Sequence, residues 1–308
     1  MATGANVGVY YVKEVVPGTT PTTPAFKPLG FSSIALKRSQ PPITSERIRD
    51  DRMASPSVNG VVEVSGDLST ELCFEEQDDL LAGALGGAWT TNKLKVGKVN
   101  PTFTILERMD GVTGKKWRIY KGVVVNTLEL SQEAGAIVKA TYGFVGMDAG
   151  FLDAAPAGAT FGTPTANLPM TAMVGAITLD GVALSTCTSL SLSIDNGAES
   201  RPVVGSYYSL PITQRMCNVT GNATLYYEDS ALAEKAQTEE RIAVEFRLSD
   251  DVKGSGNEYI IEAPKVKPSD AWPEISGPED IMVEVALSFD PDNATGSNIT
   301  ITRVPKAP

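Results

Sequence analysis

Residues 281–289, Ile-Met-Val-Glu-Val-Ala-Leu-Ser-Phe, decide the fold class. Large apolar side chains occupy every second position of this stretch, and the polar residues Glu284 and Ser288 fall between them. Successive side chains of a β-strand point to opposite faces, so this alternation predicts a strand with one buried face. The same alternation recurs at residues 242–248 and 190–194.

The rest of the chain is also typical of β-structure. Further strands are predicted at 61–68, 70–75, 102–107, 117–129, 137–146, 221–227 and 257–263, with turns rich in Gly, Asn, Asp and Pro between them. Only two short helices are predicted, near 78–85 and 229–238, because acidic residues lie near the start of each. The sequence therefore predicts an all-β sandwich or barrel with short flanking helices.

The order of these elements repeats along the chain. Residues 64–85 and 219–238 both predict a strand with an internal Gly, an aromatic-acidic end and a short helix. Residues 103–122 parallel 244–263, residues 138–144 parallel 283–289, and residues 33–36 parallel 190–193. The ordered series predicts an internal duplication.

The repeat suggests how the chain divides. We expect an extended N-terminal arm at 1–30, because 15–28 is rich in Pro and Thr, and a first β-domain at 31–150. A Gly-, Ala- and Pro-rich linker is expected at 151–170 and a second β-domain at 171–305. Residues 1–155 hold 16 basic and 17 acidic residues, and residues 156–308 hold 10 and 20, so the acidity lies in the second half.

Composition excludes several classes of chemistry. The 308-residue chain contains no histidine, so it cannot use the Ser-His-Asp or Cys-His arrangements. Its cysteines, Cys73, Cys187 and Cys217, are odd in number and far apart, which argues against a disulfide framework or a metal knuckle. The net charge of -11 has the wrong sign for binding the phosphates of nucleic acid. Neither a signal peptide nor a membrane span is expected.

Three groups of residues imitate chemical sites. The acids Glu75, Glu76, Asp78 and Asp79 are expected to be a solvated helix start rather than a glycosidase pair. Residues 111–116 lack the spacing of a phosphate loop and predict a hairpin turn. Residues 290–293 lack the Gly and the closing Glu of a calcium loop. We therefore predict no enzymatic activity, no cofactor and no metal.

Other motifs carry a resemblance to a known family. They are Tyr10-Tyr-Val-Lys-Glu14, the Pro- and Thr-rich run that follows, Ser45-Glu-Arg-Ile48, Asn59-Gly60, Val64-Ser-Gly-Asp-Leu68, Asp79-Leu-Leu81, Ala84-Leu-Gly-Gly87, Trp89, Lys121-Gly-Val-Val-Val-Asn126 and Thr141-Tyr-Gly-Phe-Val-Gly146. Together they resemble the bacteriophage tail tube (major tail) proteins of long non-contractile tails. The resemblance covers nearly the whole chain.

The resemblance implies a structural virion protein that is assembled in the bacterial host cytoplasm. Subunits of this family are β-sandwiches that close into rings, and the rings stack into a tube. The tape-measure protein occupies the tube first, and double-stranded DNA passes through it on ejection. Besides its own copies, the implied partners are the tape-measure protein, the tail terminator and the distal tail or baseplate proteins. Two-copy members form trimers with pseudo-sixfold symmetry.

Two sets of residues are candidates for assembly roles. Acids on strands of the inner sheet could face the lumen and repel DNA phosphates, and the candidates are Glu63, Glu71, Glu245 and Glu284. The long charged loop 37–59 and the N-terminal arm could bridge adjacent rings. The candidate residues of that loop are Arg47, Arg49, Asp50, Asp51 and Arg52.

Alternatives remain open at this stage. A tail terminator, a baseplate ring protein or a surface β-module would share the fold, and a terminator would stay as a single ring. A hexamer whose second half decorates the outside would also account for the acidic second half. A carbohydrate-active β-sandwich is the rival from another class, and a screen on glycans would reveal it.

Overall fold

The structure is a computed structural model. It describes residues 3–48, 50–51, 53, 55–172, 177–251, 256–273, 275, 277–278 and 280–306. The described residues form an all-β fold with two seven-residue α-helices, which confirms the predicted fold class.

The first half of the chain begins with a short 3₁₀ turn at Gly4–Asn6. Its strands are β1 (Val7–Lys13), β2 (Ala25–Leu29), β3 (Ser33–Ile34), β4 (Lys37–Ser39), β5 (Pro42–Thr44), β6 (Ser57–Asn59), β7 (Glu63–Glu71), β8 (Lys93–Lys95), β9 (Phe103–Met109), β10 (Trp117–Glu133), β11 (Lys139–Gly146), β12 (Asp148–Leu152) and β13 (Thr160–Phe161). Helix α1 (Asp78–Ala84) follows β7. The two strands predicted at 61–68 and 70–75 are therefore one strand, β7.

The second half contains eight strands and one helix among the described residues. Its strands are β14 (Ile177–Leu179), β15 (Val182–Ala183), β16 (Cys187–Asp195), β17 (Asn218–Tyr226), β18 (Ile242–Ser249), β19 (Glu258–Ser269), β20 (Met282–Phe289) and β21 (Thr300–Val304). Helix α2 (Ala231–Gln237) follows β17, as α1 follows β7. Both predicted helices are present.

One sheet runs through both halves, and we call it the spanning sheet. Its order is β3 and β4, then β7, β11, the C-terminal part of β10, β16, β17, β20 and the C-terminal part of β19. All of these neighbours are antiparallel. The two halves meet within it, where β10 pairs with β16 over seven residue pairs.

Each half adds a second layer to the spanning sheet. In the first half this layer is β2, β1, β9, the N-terminal part of β10 and β12. In the second half it is β15, β14, β18, the N-terminal part of β19, β21 and β8. Strand β8 comes from the first half, so the halves also interlock in this layer.

The layers enclose a core that is continuous across the two halves. Buried side chains from both, such as Leu68, Leu128, Ile194 and Val285, belong to one contact cluster. They come from alternate strand positions, which is the pattern that predicted the fold. A smaller cluster lies on the other side of β9 and β10, around Phe26, Leu106 and Ile119.

Two segments that the sequence assigned to an arm and a linker pack on the first half. Residues 7–13 pair with β9 along the whole of β1, and Val9, Tyr11, Phe26 and Leu29 are buried. Within 151–170, Phe161 stacks on Phe26 and Trp117, and Met170 is fully buried. The alternation at 7–13 was present in the sequence, but the Pro- and Thr-rich run beside it obscured it.

Candidate assembly surfaces

The outer face of the spanning sheet is polar along its whole width. Inward side chains such as Leu68, Leu128 and Val285 have no exposed surface, whereas their neighbours Asp67, Glu129 and Glu284 are exposed. The charged side chains at outward positions are Glu63, Asp67, Glu71, Glu129, Glu133, Asp195 and Glu284 with Lys37, Lys139 and Lys267. Seven acids against three lysines give this face a negative charge. Ser, Thr and Asn hold most positions between them.

Three of the four acids predicted for a lumen lie on this face. Glu63 and Glu71 occupy the two ends of β7, and Glu284 lies on β20. Glu245 lies on β18, in the second layer, where its Oε1 accepts a 2.7 Å hydrogen bond from Arg247 Nε. The structure therefore does not bring Glu245 together with the other three.

The β10–β16 ladder is the central contact between the halves. Thr127 lies opposite Asp195, and Glu133 lies opposite Ser189 at the other end. Beyond the ladder, the amide of Asn196 donates to the carbonyl of Asn126 at 2.9 Å. The two halves are thus joined by main-chain hydrogen bonds of the kind that join strands within either half.

Residues 196–215 extend the contact by crossing onto the first half. Asn196 Nδ2 donates to the carbonyl of Ala84 at 2.8 Å, and Gln214 Nε2 donates to that of Gly83 at 2.7 Å. Asn100 Nδ2 donates in return to the carbonyl of Ile212 at 2.6 Å. Ile212 itself is fully buried. The bonds from Asn196 and Gln214 supply partners to carbonyls of the last turn of α1, where a helix lacks its own donors.

A buried charge cluster joins the halves on the other side of α1. Asp78 pairs with Arg303 and accepts a 2.6 Å hydrogen bond from the hydroxyl of Tyr259. The Arg303 guanidinium lies over the Trp89 ring, 4.5 Å from its centroid. Burial, followed by the Asp78 charge, raises the pKa of Tyr259 far above its usual value. The expected solvated helix start was therefore wrong for Asp78, which is only 7% exposed.

Most of the long loop between β4 and β7 is exposed. Among the described residues, strands β5 and β6 pair with each other and with no other strand, and all six of their residues are exposed. Ile43, Val58 and Ile48 are 59%, 65% and 97% exposed. Of the candidate loop residues, Arg47, Asp50 and Asp51 are exposed, and Arg49 and Arg52 lie outside the described residues.

The structure also describes the segments whose sequences resemble a phosphate loop and a calcium loop. Residues 110–116 form the turn between β9 and β10, as predicted, with the Met109 amide bonded to the Lys116 carbonyl. Asp292 contacts Lys265 at 3.1 Å, and a hydrogen bond from the Thr295 amide, with Lys265, lowers the pKa of Asp292 to about 2. Among the described residues, no group of His, Cys, Asp and Glu could hold a metal ion.

The three cysteines are unpaired and half-buried, and burial raises the pKa of each thiol. A raised thiol pKa lowers the thiolate fraction, so none of them has the character of a nucleophile. In the part of the chain that the structure describes, no helix has the length and apolar character needed to cross a membrane.

Comparison with known sequences gives one family. A sequence model with the description "Phage tail tube protein" matches residues 4–290, which is most of the chain. Among curated proteins, none matches the chain.

Proposed function

We propose, from the premise that the chain belongs to the phage tail tube protein family, that its copies close into rings and that the rings stack into the tube. The chain is a structural component of a phage tail. In the proposed tube the polar face of the spanning sheet lines the lumen, through which double-stranded DNA leaves the virion. The observation that carries this proposal is the spanning sheet itself, because it gives one wide polar surface backed by a continuous core.

The charge of that face suits a conduit for DNA. Its acidic excess repels phosphates, so DNA slides along the wall and does not adhere to it. Within the proposal, Glu63, Glu71 and Glu284 are lumen residues, and Glu129 and Glu133 join them as outward residues of β10. Glu245 no longer belongs to this set because β18 lies in the other layer.

A charge-reversal variant tests the lumen assignment. Tubes of Glu129→Lys/Glu284→Lys should retain added double-stranded DNA at low salt, whereas wild-type tubes should not. Glu245→Lys is the matched control, because it adds a positive charge outside the polar face. The measurement is DNA co-sedimentation with tubes. Equal retention by Glu245→Lys and the double variant would overturn the assignment.

We also propose that the chain is an internal duplication and forms trimeric rings. The halves share one strand order, which is β3/β4, β7, β11, β10, β9 in the first and β16, β17, β20, β19, β18 in the second. Three such chains offer six similar domains, and a head-to-tail contact with a suitable rotation closes them into a ring. Electron microscopy of purified protein tests this. Threefold rings with six similar inner domains would support it, and sixfold rings would assign the second half to the periphery.

The β5–β6 hairpin is our candidate for contact between stacked rings. Its counterpart, residues 196–215, finds a partner within the chain, whereas the hairpin exposes apolar side chains to solvent. We no longer include strands β1 and β2 in this role, because both pair within the first half. Deleting residues 40–57 should leave rings and abolish tubes. Loss of the rings themselves would instead place the hairpin inside the ring.

The proposed tube also has partners. It would enclose the tape-measure protein and end in the terminator and the distal tail or baseplate proteins, after assembly in the host cytoplasm. We propose no catalytic activity.

A terminator or a baseplate ring protein is the alternative function. Purified protein that forms single rings and never tubes would favour it.

A further inference from the structure

Large exposed apolar side chains lie at both ends of the strands that form the spanning sheet. We propose that the end bearing Tyr207 and Tyr208 in one copy packs on the opposite end, around Trp272, of a second copy in the next ring. This stacking contact rests on the rings of the proposed function. It names the two surfaces through which the rings join and fixes the direction in which they stack.

The ladders of the spanning sheet define these two ends. At one end Val64 lies opposite Gly146, and we call it the loop end. At the other end Glu71 lies opposite Lys139, and we call it the helix end, because α1 and α2 begin shortly beyond it. Strand β10 runs from the loop end to the helix end, and β16 runs back beside it. If the copies of a ring lie side by side around the lumen, these two ends face the rings above and below.

Two long loops meet at the loop end. Residues 40–62 connect β4 to β7, and residues 196–217 connect β16 to β17. The Val62 amide donates to the Tyr207 carbonyl at 2.8 Å, so the second loop lies against the first. We give the name loop patch to five large side chains that these loops expose, which are Ile43, Val58, Val204, Tyr207 and Tyr208. The β5–β6 hairpin is therefore one part of a wider surface to which both halves contribute.

The second loop has an outward part as well as the part that packs on α1. Ile212 is buried, but Tyr207 and Tyr208 are 62% and 49% exposed, and Val204 is fully exposed. Val204 begins a turn at Gly205, whose φ is +89°, and the two tyrosines follow that turn. A cluster of exposed large apolar side chains marks an interaction surface. Tyrosine is also among the residues that contribute most to binding between proteins, so the loop patch is suited to a protein partner.

The helix end exposes apolar side chains among acids. Trp272 and Ile275 are 71% and 78% exposed on the connection from β19 to β20, and Tyr226 at the end of β17 is 47% exposed. Trp272 and Glu284 line an open groove of about 550 Å³, which offers a partner's aromatic side chain a place to enter. The segments that connect elements at this end, 72–77, 134–138, 227–230 and 270–281, contain eight acidic residues and no Lys or Arg.

Charge determines which ends can meet. The two loops of the loop end contain four acidic and five basic residues, so these loops have no acidic excess. Two helix ends would bring their acids together, and like charges opposed across an interface weaken it. A loop end set on a helix end avoids that repulsion. Because the two surfaces differ, this contact repeats in one direction and continues without limit, as a tube requires.

Truncation of the two tyrosines tests the contact. Tyr207→Ser/Tyr208→Ser should form rings as wild type does, but should need at least about tenfold more protein to form tubes, because tyrosines at the centre of an interface contribute much of its affinity. Tyr207→Phe/Tyr208→Phe is the matched control, since it keeps both aromatic rings, and it should form tubes at nearly the wild-type concentration. The measurement is sedimentation of tubes across a concentration series, with electron microscopy of the particles.

A pair of charged variants tests the acidity of the partner surface. Tyr207→Lys/Tyr208→Lys and Tyr207→Asp/Tyr208→Asp remove the same aromatic rings and differ in the sign of the added charge. Against an acidic helix end, the Asp variant should need more protein than the Lys variant to form tubes, and added salt should reduce the difference. An equal requirement would show that the helix end is not the partner surface. All four variants should keep the wild-type unfolding temperature, because the altered side chains are exposed.

Trp272 reports contact at the other surface. Stacking of rings into tubes should shift its fluorescence emission to shorter wavelengths and reduce its quenching by acrylamide, because the contact removes the indole from water. Trp272→Phe identifies this signal, since it leaves Trp89 and Trp117 as the background. Emission and quenching that stay unchanged on assembly would overturn the contact.

The outcomes separate this contact from the proposed function. Normal tubes from Tyr207→Ser/Tyr208→Ser would overturn the contact and leave the tube intact. If microscopy of wild type shows neither rings nor tubes, the proposed function fails and the contact fails with it. Loss of tubes with retention of rings in the Ser variant, but not in the Phe variant, supports both.

Discussion

At the scale of the residue, Asp78 joins the two halves through its side chain. It is a buried carboxylate that holds Arg303 and Tyr259 from the other end of the chain. Removing one partner of a buried pair leaves the other charge unpaired, which costs about 3–5 kcal/mol. We expect Asp78→Ala to lower the free energy of unfolding by about 3 kcal/mol, measured by urea denaturation followed by tryptophan fluorescence.

The neighbouring Asp79 provides the control for that measurement. It pairs with Lys27, whose side chain is 57% exposed. Exposed ion pairs contribute between about 0 and 1 kcal/mol, so Asp79→Ala should change the free energy of unfolding little. Equal losses for Asp78→Ala and Asp79→Ala would contradict the distinction between the two acids.

A second prediction at this scale concerns pH. The amide of Thr295 and the Lys265 ammonium lower the pKa of Asp292 to about 2. The charged form is thus favoured in the folded state, and its contribution to stability is present above pH 3.8 and is lost as the pH falls towards about 2. We expect Asp292→Asn to be less stable than wild type at neutral pH. That difference should shrink across this window in urea denaturation, and a difference independent of pH would contradict the assignment.

Some of the residue positions could be predicted from the sequence. Acids at outward positions of β7 and β20 followed from alternation, which is local. The burial of Asp78 could not be predicted from alternation. Its partner Arg303 is 225 residues away, and nothing in the sequence around either residue indicates the pair. Glu245 shows the same limit, since alternation gives the face of a strand but not the layer to which the strand belongs.

At the scale of the element, Gly66 controls how the β3–β4 edge sits on β7. Its φ is +148°, and a Cβ there would lie 2.3 Å from the Ala35 carbonyl oxygen. Gly66→Ala should therefore displace β3–β4 and destabilise the chain by about 1–3 kcal/mol. The measurement is thermal unfolding followed by circular dichroism.

Gly150 on the adjacent β12 gives a matched control for this variant. A Cβ at Gly150 has no atom within 4 Å, so Gly150→Ala should change stability by no more than about 0.5 kcal/mol. Equal thermal stability of Gly66→Ala and Gly150→Ala would contradict the role given to Gly66.

Elements were the most predictable level of this fold. Alternation of apolar residues marked β16, β18 and β20, and acidic starts marked both helices. Strand β1 was harder to predict from the sequence, because it is only seven residues long. Its pairing with β2 and β9 becomes visible only in the structure. The β10–β16 ladder was beyond prediction, since nothing in either strand specifies its partner.

At the scale of the whole molecule, the two halves are joined by shared structure. They share the spanning sheet, a continuous core and the Asp78–Arg303 pair. We expect a single calorimetric unfolding transition with an enthalpy of about 200 kcal/mol, at about 0.7 kcal/mol per residue, and a van't Hoff enthalpy of the same size. Two transitions, or a van't Hoff enthalpy near half the calorimetric one, would indicate independent domains.

The β10–β16 ladder has a kinetic consequence for growth of the proposed tube. Bringing free partners together costs several kcal/mol of translational and rotational freedom per contact, roughly 4–15. A covalently linked pair of domains makes its mutual contact during folding, at an effective concentration that does not depend on the protein concentration. A ring of three chains therefore begins with half of its six contacts already made. Closing such a ring takes two association steps, whereas a ring of six separate domains takes five, so ring formation should start at lower protein concentrations.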